Sequence, residues 1–493
     1  MRRGYAERIV IRTSLGDWTY GRLLSESNRI ACALIEDYGL LPGQRVLLRG
    51  PNGPMMAACW FAVLKAGGIA VTTMPLLRAR ELTDIMNKAR VSLALCDVRN
   101  AAELEMAAAA SPSLNRTIYF GGPSNPAALE AKAQKKGETF TNVDTAAFDI
   151  AIIAFTSGTT GQAKGTMHSH RDLIAICDLF PASVLRATPE DVFCGSPPLA
   201  FTFGLGGLLL FPIRIGASVV LLESAPPPLL VKAIQDFQAT ICFTAPTAYR
   251  AMLLLVGTSD LSSLRKCVSA GEHLPKATFL AWLAATGLSI IDGIGSTELL
   301  HIFISSPEEE IRPGSTGRVV PGYTAELLDE DGHEVPVGEL GRLAVRGPTG
   351  CRYLDDPERQ AAYVQDGWNI TGDTYRRDEE GYFWYAARSD DMIISGGYNI
   401  SGPEVENVLL MHEAVAECGV IGAADEERGQ VVAAYVVLKP GHPPGEALCR
   451  TLQEFVKAGI APYKYPRRIE FVEKLPRTET GKLQRFRLRE EAS

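Results

Sequence analysis

No apolar run in this chain approaches the roughly 18 residues that a membrane-spanning helix needs; the nearest, residues 205–215, reads as a buried helix. The opening Met1-Arg2-Arg3-Gly4-Tyr5 carries two arginines but no apolar segment behind them, so no secretory signal is expected. The ten cysteines include no CxxC pair and no spacing with histidine that would hold a metal. Scattered single thiols of this kind imply reduced cysteines in a cytoplasmic protein. An excess of basic residues is missing too: the formal net charge is -8, which gives no reason to expect nucleic acid or an anionic membrane as partner. Internal repeats and low-complexity tracts are absent. What remains is an ordinary globular composition, 46% hydrophobic and 22% charged over 493 residues, long enough for more than one domain.

Against that plain background, residues 155–165 stand out. They read FTSGTTGQAKG, with three glycines, four Ser/Thr hydroxyls and one lysine. Glycines let backbone N–H groups turn inward, the hydroxyls of Thr156, Ser157, Thr159 and Thr160 can donate to phosphate oxygens, and Lys164 supplies a point charge. Gly158 and Gly161 give the turn its freedom. The pattern differs from a Walker A loop, in which the lysine directly follows a glycine and precedes Ser or Thr; here Lys164 lies three residues after Gly161 and is followed by Gly165. Residues 150–155 form an apolar run that predicts a buried strand, so the whole reads as a strand leading into a phosphate loop.

Five further segments follow in order: Gly293-Ile294-Gly295-Ser296-Thr297-Glu298, Thr371-Gly372-Asp373, Ala387-Arg388-Ser389-Asp390-Asp391, Ser395-Gly396-Gly397-Tyr398-Asn399-Ile400, and Pro476-Arg477-Thr478-Glu479-Thr480-Gly481-Lys482. With the phosphate loop they resemble the motifs of the AMP-forming adenylating enzymes, the group of acyl-CoA synthetases, aryl-CoA ligases, adenylation domains of peptide synthetases, and luciferases. The six motifs occur in that family's order over most of the chain.

Along the rest of the chain strands and helices alternate. Helices are expected at 24–38, 55–66 and 78–88 and strands at 45–48 and 69–72, then, after the phosphate loop, helices at 171–179, 204–215 and 228–237 and strands at 192–194, 218–222 and 241–244. Such alternation predicts an α/β fold with parallel sheets covered by helices on both faces. Residues 322–346 change to short strands with polar turns, a small β subdomain. Residues 121–141, rich in Ala, Lys and Gly, are expected to form a mobile surface connection. The domain division is expected at residues 1–389 and 390–493, the second part being a small mobile α/β unit.

A carboxylate attacking the α-phosphate of ATP brings two anions together, so the site must neutralise charge, align the groups and stabilise departing pyrophosphate. The resemblance implies that the 156–164 loop embraces the β- and γ-phosphates, that Glu298 holds Mg2+, and that Thr297 hydrogen-bonds the α-phosphate. It further implies that Gly271, Glu272, Gly293, Ile294, Gly295 and Ser296 line the nucleotide, that Asp373 and Arg388 bind the ribose, and that Lys482 bridges the carboxylate and the α-phosphate. Read singly, Asp373 is a turn residue, Arg388 a surface charge and Lys482 a solvated tail lysine; together with the other motifs they read as functional. Glu298 also fits the first turn of a helix. By the same resemblance Asp390 is the hinge of a rotating C-terminal domain, and Gly396, Gly397 and Tyr398 line a channel for coenzyme A; a plain tight turn is the other reading of the two glycines.

The acid pocket is expected from Phe201, Phe203, Gly204, Tyr249, Ala270 and His301. Residues 243–250, 269–273 and 293–303 look most similar to aryl-CoA ligases of the benzoate and 2-aminobenzoate type, and a planar ring would suit the phenylalanines. Phe201 and Phe203 can equally be core; His301 and Tyr249 can meet an ortho amino group or simply pack. The chain departs from the family pattern at Ala200 and Phe201, where many relatives carry a histidine next to an aromatic, which argues against a general fatty acyl ligase. It also starts only a few residues before the expected first strand at 9–12, which bears on N-terminal packing and on whether the protein is a monomer or homodimer. The expected activity is therefore an acid–thiol ligase using ATP, Mg2+ and coenzyme A. Its rivals are an enzyme that loads an aryl acid onto a carrier protein, against which no fused carrier domain is found, and a nucleotide-binding protein without catalysis, against which Lys482, Glu298 and Asp373 stand intact.

Overall fold

In the computed structural model, residues 4–122, 128–157, 163–388, 391–395, 398–425, 428–478 and 481–492 are described. Two helix-covered sheets form the bulk of a large N-terminal domain. A nine-stranded sheet runs from Arg318–Val319 through Ile302–Ser305, Ile290–Gly295, Lys266–Ala270, Ile241–Thr244, Val192–Gly195, Ser218–Val220 and Ile9–Arg12 to Trp18–Thr19. Its central strands are parallel, with antiparallel partners at both ends. The six-stranded sheet orders Arg116–Phe120, Val91–Asp97, Arg45–Arg49, Ile69–Thr73, Ile150–Ser157 and Ala163–Ser169, parallel except for the last.

Helices between the sheets bury apolar faces into one shared core that takes Val10 and Phe193 from the first sheet and Val46 and Leu48 from the second. The Tyr20–Glu36 helix shows why: its Thr19 hydroxyl caps the Arg22 amide at 3.1 Å, and Leu23, Ser27, Ile30, Ala31 and Leu34 recur at helical spacing on the buried side. Pro54–Lys65 starts on a proline at its first turn, whose missing N–H is unneeded there, and the chain turns away at Gly67 with φ +73.

A β subdomain follows, in which Trp368–Arg377 pairs with Leu340–Arg346 on one side and Phe383–Arg388 on the other. The smaller C-terminal domain packs helices Gly402–Leu409 and Glu446–Gly459 on a sheet made mainly of the antiparallel pair Val415–Asp425 and Gly429–Leu438. No helix among the described residues is long and apolar enough to cross a membrane.

Three expectations change. Residues 121–141 are not simply a surface connection: Leu129–Ala133 is a helix, and Leu129 and Ala133, four apart on one face, are fully buried in the shared core. The helix expected over 204–215 begins at Thr202 and passes through a π-helical turn, Gly206–Leu210. Its glycines let the backbone lie against rings; a β-carbon on Gly206 would sit 2.4 Å from His301 Cδ2, and one on Gly207 2.5 Å from Phe243 Cδ1. Finally, no helix starts at Glu298; the segment turns directly into strand Ile302–Ser305.

Candidate active site

The two strands flanking the segment expected to hold phosphate form a hairpin. Ile150–Ser157 and Ala163–Ser169 run antiparallel, with Phe155 opposite Gly165 and Thr156 opposite Lys164. Gly158, Thr159, Thr160 and Gly161 lie outside the described residues, as do the side chains of Thr156 and Ser157. At the hairpin base Lys164 is part-buried. Burial lowers the pKa of its ammonium group, helped by the Arg359 and Arg388 charges, while Glu298 pulls it back up. Lys164 therefore lies within electrostatic reach of both the Glu298 carboxylate and the Arg388 guanidinium.

The 293–298 segment leaves the C-terminal end of a parallel strand, where Ala270 and Gly293 are register partners. Gly295 is needed for close approach, since a β-carbon there would lie 2.7 Å from the His301 carbonyl oxygen. The turn beyond is tightly held. Ser296 Oγ accepts from the Leu299 amide at 3.1 Å, and Leu300 adopts φ +72, a left-handed conformation uncommon for a branched apolar residue. The Thr297 carbonyl accepts a hydrogen bond at 2.7 Å from His168 Nε2, and His168 is fully buried, which holds its imidazole neutral. Glu298 Oε1 accepts from the Tyr353 hydroxyl at 2.8 Å. Burial, and secondarily the Glu298 charge, raise the pKa of that phenol, so it stays a donor.

Asp373 and Arg388 face each other across paired strands. Arg388 Nη1 is 3.2 Å from Asp373 Oδ1 and 3.4 Å from the Thr371 carbonyl, and the Asp373 amide donates to Thr371 Oγ1 at 3.3 Å. Burial raises the Asp373 pKa, Arg388 opposes the shift, and the nearby Glu298 carboxylate reinforces it. Gly372, at φ +76, turns the backbone between Thr371 and Asp373.

Lys482 comes from the far end of the chain. Its Cε is 3.9 Å from where a β-carbon on Gly271 would be, and a β-carbon on Gly481 would lie 3.8 Å from Glu272 Oε1. Glu272 is held from the large domain by the Thr247 hydroxyl. The Lys482 turn is closed by its own amide donating to Thr478 Oγ1 at 3.0 Å and by the Thr478 amide donating to the Lys482 carbonyl at 2.8 Å. Asp390, Gly396 and Gly397 lie outside the described residues. Tyr398 is exposed and stacks on Tyr463 with ring centroids 4.6 Å apart.

Beneath the Thr297 turn lies an aromatic cluster. Phe203 is 5.5 Å from Phe243 and 5.8 Å from His301, and Phe211 meets His301 edge-on at 4.5 Å. His301 is buried among these rings, and burial lowers its pKa to about 3 against the opposing pull of the Phe203 backbone, so the imidazole is neutral. Gly204 fits where a β-carbon would collide with the Pro198 carbonyl, and Phe201, half-buried, precedes the Thr202 helix. Tyr249 is not brought to this cluster. Its hydroxyl donates to the carbonyls of Cys242 and Val268 at 2.9 and 3.2 Å, its ring meets Trp282 edge-on at 4.9 Å, and it belongs to a separate core. The large apolar body of Tyr249 fills that core, and its polar tip finds strand carbonyls there.

Sequence reasoning missed His168 and Tyr353. A histidine in the strand that follows the glycine-rich loop, seven residues past Gly161, was one available signal; Tyr353 offers none. The residues suit a magnesium ion bridging phosphates: Glu298 offers a second carboxylate oxygen with no protein donor among the described residues, a hard oxygen ligand beside Lys164.

Residues 2–352 match the AMP-binding enzyme family and residues 404–482 the AMP-binding enzyme C-terminal domain. The chain is 37% identical over 491 residues to a benzoate–CoA ligase of Thauera aromatica, covering 99% of this chain and 93% of that protein. It is similar to the crystal structure of an anthranilate CoA ligase in complex with anthranoyl-AMP, with a TM-score of 0.95 and 37% identity over 99% of this chain and 95% of the other. A benzoate CoA ligase structure from Burkholderia xenovorans follows with a TM-score of 0.89 and 34% identity, covering 98% and 97%.

Proposed function

The chain belongs to the AMP-binding enzyme family, and on that premise we propose that it is an AMP-forming aryl-acid:CoA ligase, activating a small aromatic carboxylate of the benzoate or 2-aminobenzoate type with ATP and passing it to coenzyme A. One observation carries the reading: Lys482 of the small domain brings its Cε to 3.9 Å from the place of a β-carbon on Gly271, which follows a large-domain strand whose last residue, Ala270, pairs with Gly293 ahead of Thr297 and Glu298. A cation placed there neutralises the approach of carboxylate to α-phosphate, where two negative charges must otherwise come together. The similarity to ligases of benzoate and anthranilate, together with the rings of Phe203, Phe211 and Phe243 around neutral His301, supports a flat apolar acid.

In this assignment Lys164 and the 156–161 loop hold the terminal phosphates, Thr297 the α-phosphate, and Asp373 with Arg388 the ribose, while Gly293 to Ser296 and Gly271 line the base. Mg2+ held by Glu298 would neutralise phosphate charge. Phe201, Phe203, Gly204, Ala270 and His301 form the acid site. Gly396, Gly397 and Tyr398 lead coenzyme A inward, with the domains dividing at residues 389 and 390 and turning at Asp390. A cytoplasmic monomer or homodimer completes the reading.

The test is pyrophosphate release with ATP and Mg2+ over benzoate, 2-aminobenzoate, hydroxybenzoates, cinnamates and fatty acids, each with and without coenzyme A. The expected result is turnover with an aryl acid that rises on adding coenzyme A. Release limited to one turnover with coenzyme A present would refute the thiol acceptor, and preference for a fatty acid would refute the acid class.

A further inference from the structure

We propose that the ion pair between Arg250 and Glu417 positions Lys482 for adenylation, acting from outside the set of groups that touch substrate. The proposal rests on the ligase reading above.

Arg250 belongs to the helix Pro246–Met252 of the large domain, and Glu417 to the strand Val415–Asp425 of the small one. Arg250 Nη2 is 2.9 Å from Glu417 Oε1. The other carboxylate oxygen, Oε2, accepts from Arg477 Nη2 at 2.8 Å, and Arg477 Nη1 donates to the Gly481 carbonyl at 2.6 Å. Gly481 immediately precedes Lys482. One carboxylate therefore ties the large domain to the arginine that grips the lysine's own turn.

The large-domain end of this chain is rigid. Between Thr247 and Arg250 on the same short helix, Tyr249 is fully buried and hydrogen-bonded to two strand carbonyls, so the helix cannot slide on the sheet. Thr247 holds Glu272, whose Oε1 would lie 3.8 Å from a β-carbon on Gly481. The helix thus fixes both contacts of the lysine turn, one through Thr247 and Glu272, the other through Arg250 and Glu417.

Arg250, Glu417 and Arg477 keep a quarter to a third of their side-chain surface in water. Pairs so exposed add little to fold stability. Their consequence is orientation: a displacement of about 1 Å in a group that must meet the reacting atoms is enough to lower a rate on the order of a hundredfold.

The test compares Arg250→Ala, Glu417→Gln, the double variant and the conservative Arg250→Lys with wild type. Measured first, without any acid, is hydrogen–deuterium exchange of peptides spanning 477–484; it is expected to accelerate in Arg250→Ala and Glu417→Gln and to recover in Arg250→Lys. Unchanged exchange overturns the proposal. With whichever acid supports wild-type turnover, kcat for pyrophosphate release is expected to fall about tenfold in each single variant, with KM for ATP within about twofold and no further loss in the double variant. Thioester formation from supplied acyl adenylate is expected to persist at the wild-type rate. Equal loss in both half-reactions, or losses that multiply in the double variant, overturns the positioning role. A wild type silent across all acids refutes the ligase reading instead, while the exchange experiment still decides the ion pair.

Discussion

The Lys482 side chain reaches across the domain interface to Gly271, its Cε 3.9 Å from the site of a β-carbon that glycine lacks. Gly271 is at φ +90, a conformation that also excludes most other residues, so the lysine finds backbone rather than side chain beneath it. Lys482→Ala is expected to lower the rate of adenylate formation by about 10³-fold or more while leaving thioester formation from supplied aryl-AMP intact. Pyrophosphate release and a separate thioester assay distinguish the two, and equal loss in both would remove the assigned role.

Tyr353 orients Glu298 by donating to Oε1. Tyr353→Phe removes that donor and is expected to raise the magnesium concentration at half-maximal activity by roughly tenfold, as loss of an orienting partner does at other metal sites. Titrating activity with Mg2+ at saturating ATP reads it directly; an unchanged midpoint would mean that Glu298 is positioned by other groups.

Asp373 is paired with Arg388 and buried enough that its ionised form is disfavoured without the arginine. Asp373→Asn keeps the shape but would remove the charged acceptor proposed for two sugar hydroxyls. The expected outcome is KM for ATP raised about tenfold, with KM for the acid little changed. A selective rise for the acid would place Asp373 elsewhere in the site.

His301 is a buried, neutral imidazole among aromatic rings. His301→Phe removes a buried polar group and is expected to leave thermal stability equal or slightly higher. It should also lower kcat/KM for 2-aminobenzoate relative to benzoate by about tenfold, because a hydrogen-bonding site loses its partner. An unaltered ratio would make His301 a packing residue.

Asp292 gives the pH prediction. Burial raises its pKa from 3.8 to about 8, outweighing hydrogen bonds from the Gly293 backbone and the Ser269 side chain. Below pH 4 the acid is protonated in folded and unfolded chains alike. Between about 4 and 8 the unfolded chain releases that proton while the folded one keeps it, so stability falls as pH rises, by at most about 1.4 kcal/mol per pH unit, and levels off above 8. Asp292→Asn removes this slope. Urea midpoints at pH 5.5 and 8.5 should therefore drop further in the wild type than in the variant, and parallel changes would contradict it.

Much of the fold was legible in the pattern of residues. Strands Ile150–Ser157 and Ile241–Thr244 and helices Pro54–Lys65 and Ala79–Ala89 lie within a few residues of the spans that apolar periodicity predicts. Val91–Asp97 was not predicted as a strand. Every residue in it is buried, so it lacks the alternation that marks a strand with one wet face. The short Leu129–Ala133 helix was hidden for another reason: five residues give too little periodicity to identify a buried face. In the candidate site, Lys164, Glu298, Asp373, Arg388 and Lys482 were found from motifs. Tyr249 was misplaced, because the resemblance of residues 243–250 does not say which side of the sheet its ring takes.

The sequence by itself determined which groups exist and in what order: a hydroxyl- and glycine-rich loop after a strand, a Gly-Ser-Thr-Glu segment, an aspartate after Thr-Gly, an arginine before the expected domain boundary, a late lysine. Those are local facts, set by backbone preference and by the period with which apolar residues recur. Only the tertiary structure decided that Lys482 rests on Gly271, that His168 holds Thr297, that Tyr353 turns Glu298, and that Arg250 reaches Glu417. These partners are separated by tens to hundreds of residues. Nothing in the local pattern of either partner names the other, and they meet because close packing of two sheets and a small domain leaves each side chain one place to go.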